Sequence, residues 1–514
     1  MIKILTNNNS GYKWYTNETS HAKGFVFDAK GNLYKDEKIL DYFSDIQDNI
    51  NFEKKLSEAN GQFAIIINQN GKLLAATDII RSFPIFYKKE EEDITISDDI
   101  YIIINPETKI DENSKRIFRA TGYVTGSATL AEKVSQIEAG QYISLEDNKL
   151  TIKFYHTFIQ ETEKKSFDEA KSELRVIMER VGKRLTKLLG DRPVAIPLSG
   201  GLDSRIIAFL LRENGYNNVK CFTYGVQKGN PELERARKVA ETLGYNWTFI
   251  DYNLYKNTNF LDTEQFANYV DYASQFCSKF YFSEYFAAEN LKNNLCLPME
   301  TVFIPGHSGD SISGSHLRPY MNNYHNIKTI AKNIQYSQFN LIDMSGEDRR
   351  KCTKEIALQL SRSNYTDYQV FENWIMKERQ AKYIINSCRI WEFHGYQYVL
   401  PLWDKELADF LIRQPFEYRL YQKLYRAVLK EWFSEKGLWY AADEKKHESS
   451  LMQFVKMTVK SVMPWLRRKR DLYAGDCYGF REITREMVSS LPHPEKIRSY
   501  NGIFTEWYIR RIKG

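Results

Sequence analysis

The segment Leu198-Ser199-Gly200-Gly201-Leu202-Asp203-Ser204 lies between an apolar run, Pro193 to Leu198, and an amphipathic one, Arg205 to Leu211. A strand that turns straight into a helix through two glycines leaves few architectures open. The glycines let backbone approach an anion, the helix start offers N–H groups without partners and a positive dipole end, and the Ser199 and Ser204 hydroxyls add donors. The result is a phosphate cradle. A carboxylate inside it, Asp203, would repel a bare anion, but it fits if Mg²⁺ sits between carboxylate and phosphate, which implies a metal-bound nucleotide. An ordinary strand-to-helix turn uses the same residue types, with Asp or Ser as cap; the complete segment favours the cradle. The chain contains no Gly-x4-Gly-Lys-Ser/Thr, so this is not a Walker loop.

Strand and helix signals then alternate. The helix of Arg205 to Leu211 ends near Gly215, Asn218 to Tyr224 reads as a strand, Pro231 opens a helix stopped at Gly244, and Asn246 to Tyr252 is a further strand. This β-α-β-α-β order predicts an α/β fold with a doubly wound parallel sheet covered by helices and ligands at the carboxyl ends of the strands. Upstream, residues 1 to 155 carry short alternating segments such as Gly61 to Ile67 and Lys72 to Thr77, which predict a layered β-rich unit. The amphipathic helix Phe167 to Leu189 opens the next one. Three units are expected: 1–160, 161–440, and a basic helical extension over 441–514. With 514 residues, 43% of them hydrophobic, the chain can bury cores of that number.

Charge narrows the partners. Lys and Arg number 72 against 66 Asp and Glu, a formal +6 that fits no dedicated nucleic-acid binder. No apolar run approaches the ~20 residues of a membrane span, and the N-terminus lacks a secretory layout, so a cytoplasmic protein is expected. Residues 451–470 carry six basic side chains and no acidic one, with Trp465 among apolar residues. Such a segment fits either the surface of an anionic membrane or a helix docked on the preceding domain. The six cysteines, Cys221, Cys277, Cys296, Cys352, Cys388 and Cys477, form no Cys-x-x-Cys pair and are expected as buried, reduced thiols.

A second glycine-rich segment, Pro305 to Gly314, follows the strand-like Thr301 to Ile304. Asp310 within it is the candidate second carboxylate for Mg²⁺. His307, Ser308 and Asp310 also raise the thought of a hydrolase, but Gly-x-Ser-x-Gly is not met and sequence neighbours seldom form a triad.

Ser-Gly-Gly-x-Asp-Ser after an apolar strand resembles the signature of the PP-loop ATP pyrophosphatases, and the order of motifs resembles the asparagine synthetase superfamily. The further segments are Cys221 to Gly225, Ala236 to Gly244, Gly306 to Asp310, and Val399-Leu400-Pro401-Leu402-Trp403-Asp404, with Lys423 ahead of Arg426. The likeness spans roughly 55 to 435. It implies ATP and Mg²⁺ as cofactors, with Leu198, Ser199, Gly200, Gly201, Asp203, Ser204, Tyr224 and Gly306 around the nucleotide and Asp203 and Asp310 on the metal. It implies that a substrate carboxylate attacks the α-phosphate to give an acyl-adenylate, and that Lys423 neutralises developing charge. For His307, two readings stand: general base for the incoming amine, or a residue that orders the loop.

Asn60 to Ala64 and Thr77 to Tyr87 resemble the glutaminase domain of the same superfamily, which implies an αββα sandwich. Those glutaminases use a cysteine directly after the initiator methionine; here residue 2 is Ile, and no cysteine precedes Cys221. An inactive, degenerate domain is therefore expected. Relatives usually carry an acidic residue at the position of His307 and Arg at that of Val399. Three functional readings follow: a ligase joining an acid, such as aspartate or a sugar uronate of surface-polysaccharide synthesis, to free or partner-delivered ammonia; an intramolecular cyclase of the β-lactam synthetase or lasso-peptide type; and a non-catalytic ATP-binding module. Intact Ser199, Gly200, Gly201, Asp203 and Asp310 count against the third.

Overall fold

The structure, a computed structural model, describes residues 1–8, 11–226, 230–322, 326–360, 366–444 and 476–512. The basic stretch 451–470 lies outside the described residues. Among the described residues no helix is long and apolar enough to cross a membrane.

The N-terminal part stacks two sheets. The larger has the strand order Lys149–Phe154, Gln141–Glu146, Lys72–Thr77, Asn60–Gln69, Ser20–Phe27, Trp14–Thr16, with Leu33–Lys35 also pairing on Ser20–Phe27. The smaller runs Ile2–Leu5, Asp93–Ser97, Phe86–Glu90, Ser135–Gln136. Period-two alternation divides the central strands between two cores. Ala64, Ile66, Leu73 and Ala75 share a core with Phe86, Ile94 and Ile96 of the small sheet. Phe63, Ile65, Leu74 and Ala76 face outward and are covered by Ile39, Leu40, Phe52 and Leu56 of the helices Ile39–Tyr42 and Asn49–Glu58. Burial on both faces explains why these strands read as nearly continuous apolar runs. Past the small sheet, helix Glu112–Thr121 packs on the last described helix, Tyr500–Arg511, through Phe118 on Tyr508 and a paired Arg119–Glu506 bond of 2.6 and 3.0 Å.

Helix Phe167–Leu189 opens with a capping box between Ser166 and Glu169 and buries one stripe, from Ala170 and Leu174 through Met178 and Val181 to Leu188. Beyond it the parallel sheet has the order Asn246–Asp251, Val219–Gly225, Val194–Pro197, Val302–Phe303, Gln397–Tyr398. Val194–Pro197 is first in sequence and central in space. The chain moves outward on one side of it and then returns to build the other, so a crevice opens at its carboxyl end. The far edge of this sheet rests on the N-terminal part: the Tyr12 hydroxyl donates to the Tyr398 carbonyl (2.7 Å), the Tyr398 hydroxyl to that of Ser82 (2.8 Å), and the Leu400 N–H to Gln62 Oε1 (2.8 Å).

Cys221, Cys277, Cys352 and Cys388 are buried free thiols, as expected. The expectation fails for Cys296, exposed in the loop after helix Tyr285–Asn293, and for Cys477, half-buried at the rim of the crevice. Both sit in loops, which secondary-structure packing does not cover.

Candidate active site

The crevice at the carboxyl end of Val194–Pro197 is a cleft of about 520 Å³. Its floor is the predicted loop. Helix Leu202–Glu213 begins there with Gly201 as N-cap and no side-chain cap, so its first N–H groups point into the cleft unclaimed by a capping oxygen. Ser199 and Ser204 staple the loop to itself. The Ser199 N–H donates to Ser204 Oγ (3.1 Å), the two hydroxyls lie 3.1 Å apart, and the Gly201 N–H donates to Ser199 Oγ (3.1 Å). Ser204 is buried, so its hydroxyl shapes the loop from beneath. Leu198 is likewise engaged: its N–H donates to the Phe222 carbonyl (2.8 Å) and its carbonyl accepts from the Thr223 hydroxyl (2.7 Å). A side chain at Gly200 would put its Cβ 2.7 Å from Arg235 Nε, so the guanidinium lies against the loop at a distance only glycine allows.

The second glycine segment faces the first. Gly306 passes so close that a Cβ there would be 2.7 Å from the Ser204 nitrogen. This contact brings Asp310 to Asp203: the Asp310 N–H donates to Asp203 Oδ2 (2.7 Å), while Asp203 Oδ1 accepts from the Tyr425 hydroxyl (3.1 Å) and Asp310 Oδ2 from the Ser315 hydroxyl (3.1 Å). Burial and the neighbouring Asp203 charge hold the Tyr425 phenol well above its ordinary range, so it stays a donor. Among the described residues no three or more His, Cys, Asp or Glu form a metal cluster. Two hard carboxylates on one rim nevertheless suit Mg²⁺, which keeps waters and phosphate oxygens as its remaining ligands. His307 Nε2 lies 3.1 Å from Ser387 Oγ, whose own proton goes to the Ile384 carbonyl (2.6 Å). Nε2 is therefore the protonated nitrogen and Nδ1 the free acceptor. Desolvation lowers the His307 pKa to about 4, against the opposing pull of Asp310.

Comparison with known proteins bears on the same stretch. The asparagine synthase family model matches residues 179–437, half of the chain. The chain belongs to the asparagine synthase family. No curated protein matches the sequence. Among solved structures, the chain is similar to an NH3-dependent NAD synthetase from Campylobacter jejuni (16% identity, TM-score 0.19, 30% of this chain and 63% of that one). It is also similar to an NMN synthetase from Francisella tularensis (12%, 0.17, 56% and 99%) and to a glutamine PRPP amidotransferase from B. subtilis (9%, 0.19, 71% and 78%). The chain thus spans under two thirds of the Campylobacter protein.

The asparagine synthase match takes in both loops and every residue the sequence proposed for the nucleotide, metal and catalytic roles. The structure brings Ser199, Gly200, Gly201, Asp203, Ser204, Tyr224, Gly306, His307 and Asp310 to one cleft. Lys423 is not among its lining residues. That side chain is exposed, with its ammonium 4.9 Å from the centre of the Phe167 ring. Arg426, one turn along helix Lys423–Glu435, faces the cleft instead, stacked 5.6 Å from Trp439 and hydrogen-bonded to the Asp443 carbonyl.

Several residues in or directly beneath the lining carry no motif. Arg205, fully buried, clamps the loop: Nη2 donates to the Gly200 carbonyl (2.9 Å), and Nη1 to Asp443 Oδ2 (2.6 Å) and the Leu438 carbonyl (2.8 Å). Gln422 donates to Ser313 Oγ (3.1 Å); it and Tyr421 hold φ of +63° and +59°, a left-handed pair at the helix entry. Arg235, on helix Pro231–Leu243, and Glu284, in the turn just before helix Tyr285–Asn293, reach the cleft from elements that no periodic signal ties to it. The one available clue to Glu284 was an acid within the aromatic run Phe280 to Phe286.

Proposed function

We propose that this protein is an ATP-dependent ligase that activates a carboxylic acid. The acid's oxygen attacks the α-phosphorus, pyrophosphate leaves, and the acyl-adenylate passes its acyl group to ammonia or an amine, releasing AMP and a proton. One observation carries this reading: Asp203 and Asp310 meet beside an uncapped helix start, at the carboxyl end of the central strand. Mg²⁺, when bound, would be held by Asp203 and Asp310 and would offset charge on the phosphates.

The chain's own groups supply the rest. The Gly200 N–H and the helix start hold the leaving pyrophosphate, with Arg235 beside them. Arg426 takes the charge-neutralising part that the resemblance gave to Lys423, because it is the one of the two that faces the cleft. With its pKa at about 4, His307 is a weak base near neutrality, so we assign it the loop-ordering role. The N-terminal sandwich serves as scaffold, and the nitrogen comes from solution, from a separate ammonia-supplying protein, or from the substrate's own amine. We place the reaction in the cytoplasm.

The test is AMP and pyrophosphate release against a panel of carboxylic acids, with and without ammonium. Release that needs an acid and ammonium supports the intermolecular ligase. Release with a single amino-acid substrate supports the cyclase. No release with any acid, or AMP formation that survives Asp203→Ala, overturns the proposal.

A further inference from the structure

Beyond the loop the cleft has two arms. The one toward Val302–Phe303 is polar, with His307, Asp310, Ser315 and Gln422. The one toward Val219–Gly225 and Asn246–Asp251 is aromatic, with Tyr224, Tyr281 and Tyr478, and carries two acids, the exposed Glu232 near Tyr478 and the buried Glu284. Glu284 stands immediately before helix Tyr285–Asn293 and is only 3% exposed. Its Oε1 accepts from the Tyr224 hydroxyl at 3.2 Å; its Oε2 is buried with no hydrogen-bond partner. The Tyr224 ring is stacked between Tyr252 (5.6 Å, 21°) and Tyr478 (5.8 Å, 23°), which fixes the donor to Oε1 and leaves Oε2 unmet. Buried carboxylates are normally satisfied, and one that is not, in a ligand cleft, marks where a ligand donor arrives.

If the triphosphate lies on the Gly200–Gly201 turn, the base falls into one of the two arms. The aromatic arm offers flat rings to a purine, whereas the polar arm suits the acid substrate. We propose that Glu284 reads the nucleobase, its unpartnered Oε2 accepting a hydrogen bond from the exocyclic 6-amino group of adenine. In its ionised form the carboxylate only accepts, so hypoxanthine and guanine, with an oxygen at that position, are rejected by lone-pair repulsion, and binding is compared at pH 8, where that form prevails. This assignment rests on the ligase reading above, because that reading supplies the nucleotide and its orientation.

The experiment measures binding of the α,β-methylene triphosphates of adenosine, inosine and guanosine, and of inorganic pyrophosphate, to the full chain by calorimetry. Wild type is expected to prefer the adenosine analogue over both others by about 10-fold or more, the scale set by leaving one buried polar group unpaired. Glu284→Gln, whose carboxamide can turn either a donor or an acceptor to the base, is expected to bring the three within about 3-fold of each other while pyrophosphate affinity stays unchanged. Glu284→Asp, which withdraws the same charge by one methylene, gives a smaller loss of preference and serves where the Gln variant fails to fold. Retention of the adenosine preference in both variants overturns the assignment, as does a wild-type preference for guanosine or inosine. Unchanged nucleotide ratios with a raised KM for the amine also overturn it, and move the carboxylate to the nitrogen substrate. Wild type that binds pyrophosphate and the adenosine analogue while the variants keep their selectivity refutes this assignment alone. Failure of wild type to bind either one takes down the ligase reading as well.

Discussion

Replacing Arg205 by Met removes the clamp under the phosphate loop with little change in side-chain length. Arg205 and Asp443 are 0% and 6% exposed, and the pair bridges the loop, through the Gly200 carbonyl, to the segment 438–443. Breaking a buried pair by removing one partner costs about 3–5 kcal/mol, because the other charge stays in a low-dielectric site. Here the Asp443 carboxylate would keep the Tyr440 N–H (2.9 Å) and the charge of nearby Arg426, and the Gly200 and Leu438 carbonyls would lose this donor. Asp443→Leu is expected to cost a similar amount, since it leaves the guanidinium buried with no counter-charge, held by those two carbonyls and the rings of Phe433 and Tyr440. Independent effects would then sum to about 6–10 kcal/mol. The double variant has no charge left to strand, so its loss is expected to be no larger than that of either single variant, a coupling of about 3 kcal/mol or more. Urea unfolding followed by tryptophan fluorescence measures this on its first transition. Single losses below about 1 kcal/mol, or additivity within about 0.5 kcal/mol, would refute the argument. Pyrophosphate affinity should remain low in the double variant even where stability returns, because the Gly200 carbonyl is still unclamped.

Gly306→Ala places a methyl 2.7 Å from the Ser204 nitrogen, a backbone atom that cannot swing aside, so a loss of about 1–3 kcal/mol is expected together with weakened nucleotide binding, both readable in one thermal-shift titration. Lys423→Ala is expected to stay within about 1 kcal/mol of wild type, the size of an exposed cation–π contact, and to keep AMP formation, whereas Arg426→Ala lowers it at least 10-fold; the reverse ranking would return the charge-neutralising role to Lys423. Burial raises Glu284 from 4.5 to about 7, so the folded state holds a proton that the unfolded chain gives up, and the group's contribution to stability is lost as pH rises between those values. Glu284→Gln should therefore match wild type near pH 4 and exceed it by more than about 1 kcal/mol at pH 8, as measured by urea midpoints at the two pH values.

Local signals explain what the sequence made legible. Helix Phe167–Leu189 was readable to its ends because Ser166 and Glu169 close a capping box ahead of a regular apolar stripe. Both glycine loops were readable because each follows a short apolar strand, and the topology then had to place them side by side. The phase of helix Lys423–Glu435 was not readable. Tyr421 and Gln422 enter it with positive φ, so periodicity from upstream is broken at the residue where it was needed, and the basic side chain that faces the cleft is Arg426. Arg235, Glu284 and Tyr478 come from three elements far apart in sequence and meet through strand order, a relation that no short pattern encodes.

Tyr478 and its neighbours have a further consequence. The carbonyl of Cys477 accepts the Val226 N–H at 2.7 Å, and a Cβ on Gly225 would lie 2.4 Å from that oxygen, so residues of the chain's last tenth are laid against the tip of a strand made far earlier. During translation the parallel sheet has all of its strands once Tyr398 has emerged, but the aromatic wall stays incomplete until residue 478 has been made. A product cut short before that point would retain its phosphate loop, Tyr224, Tyr281 and Glu284, yet lack the ring stacked on Tyr224 at the outer side of the pocket.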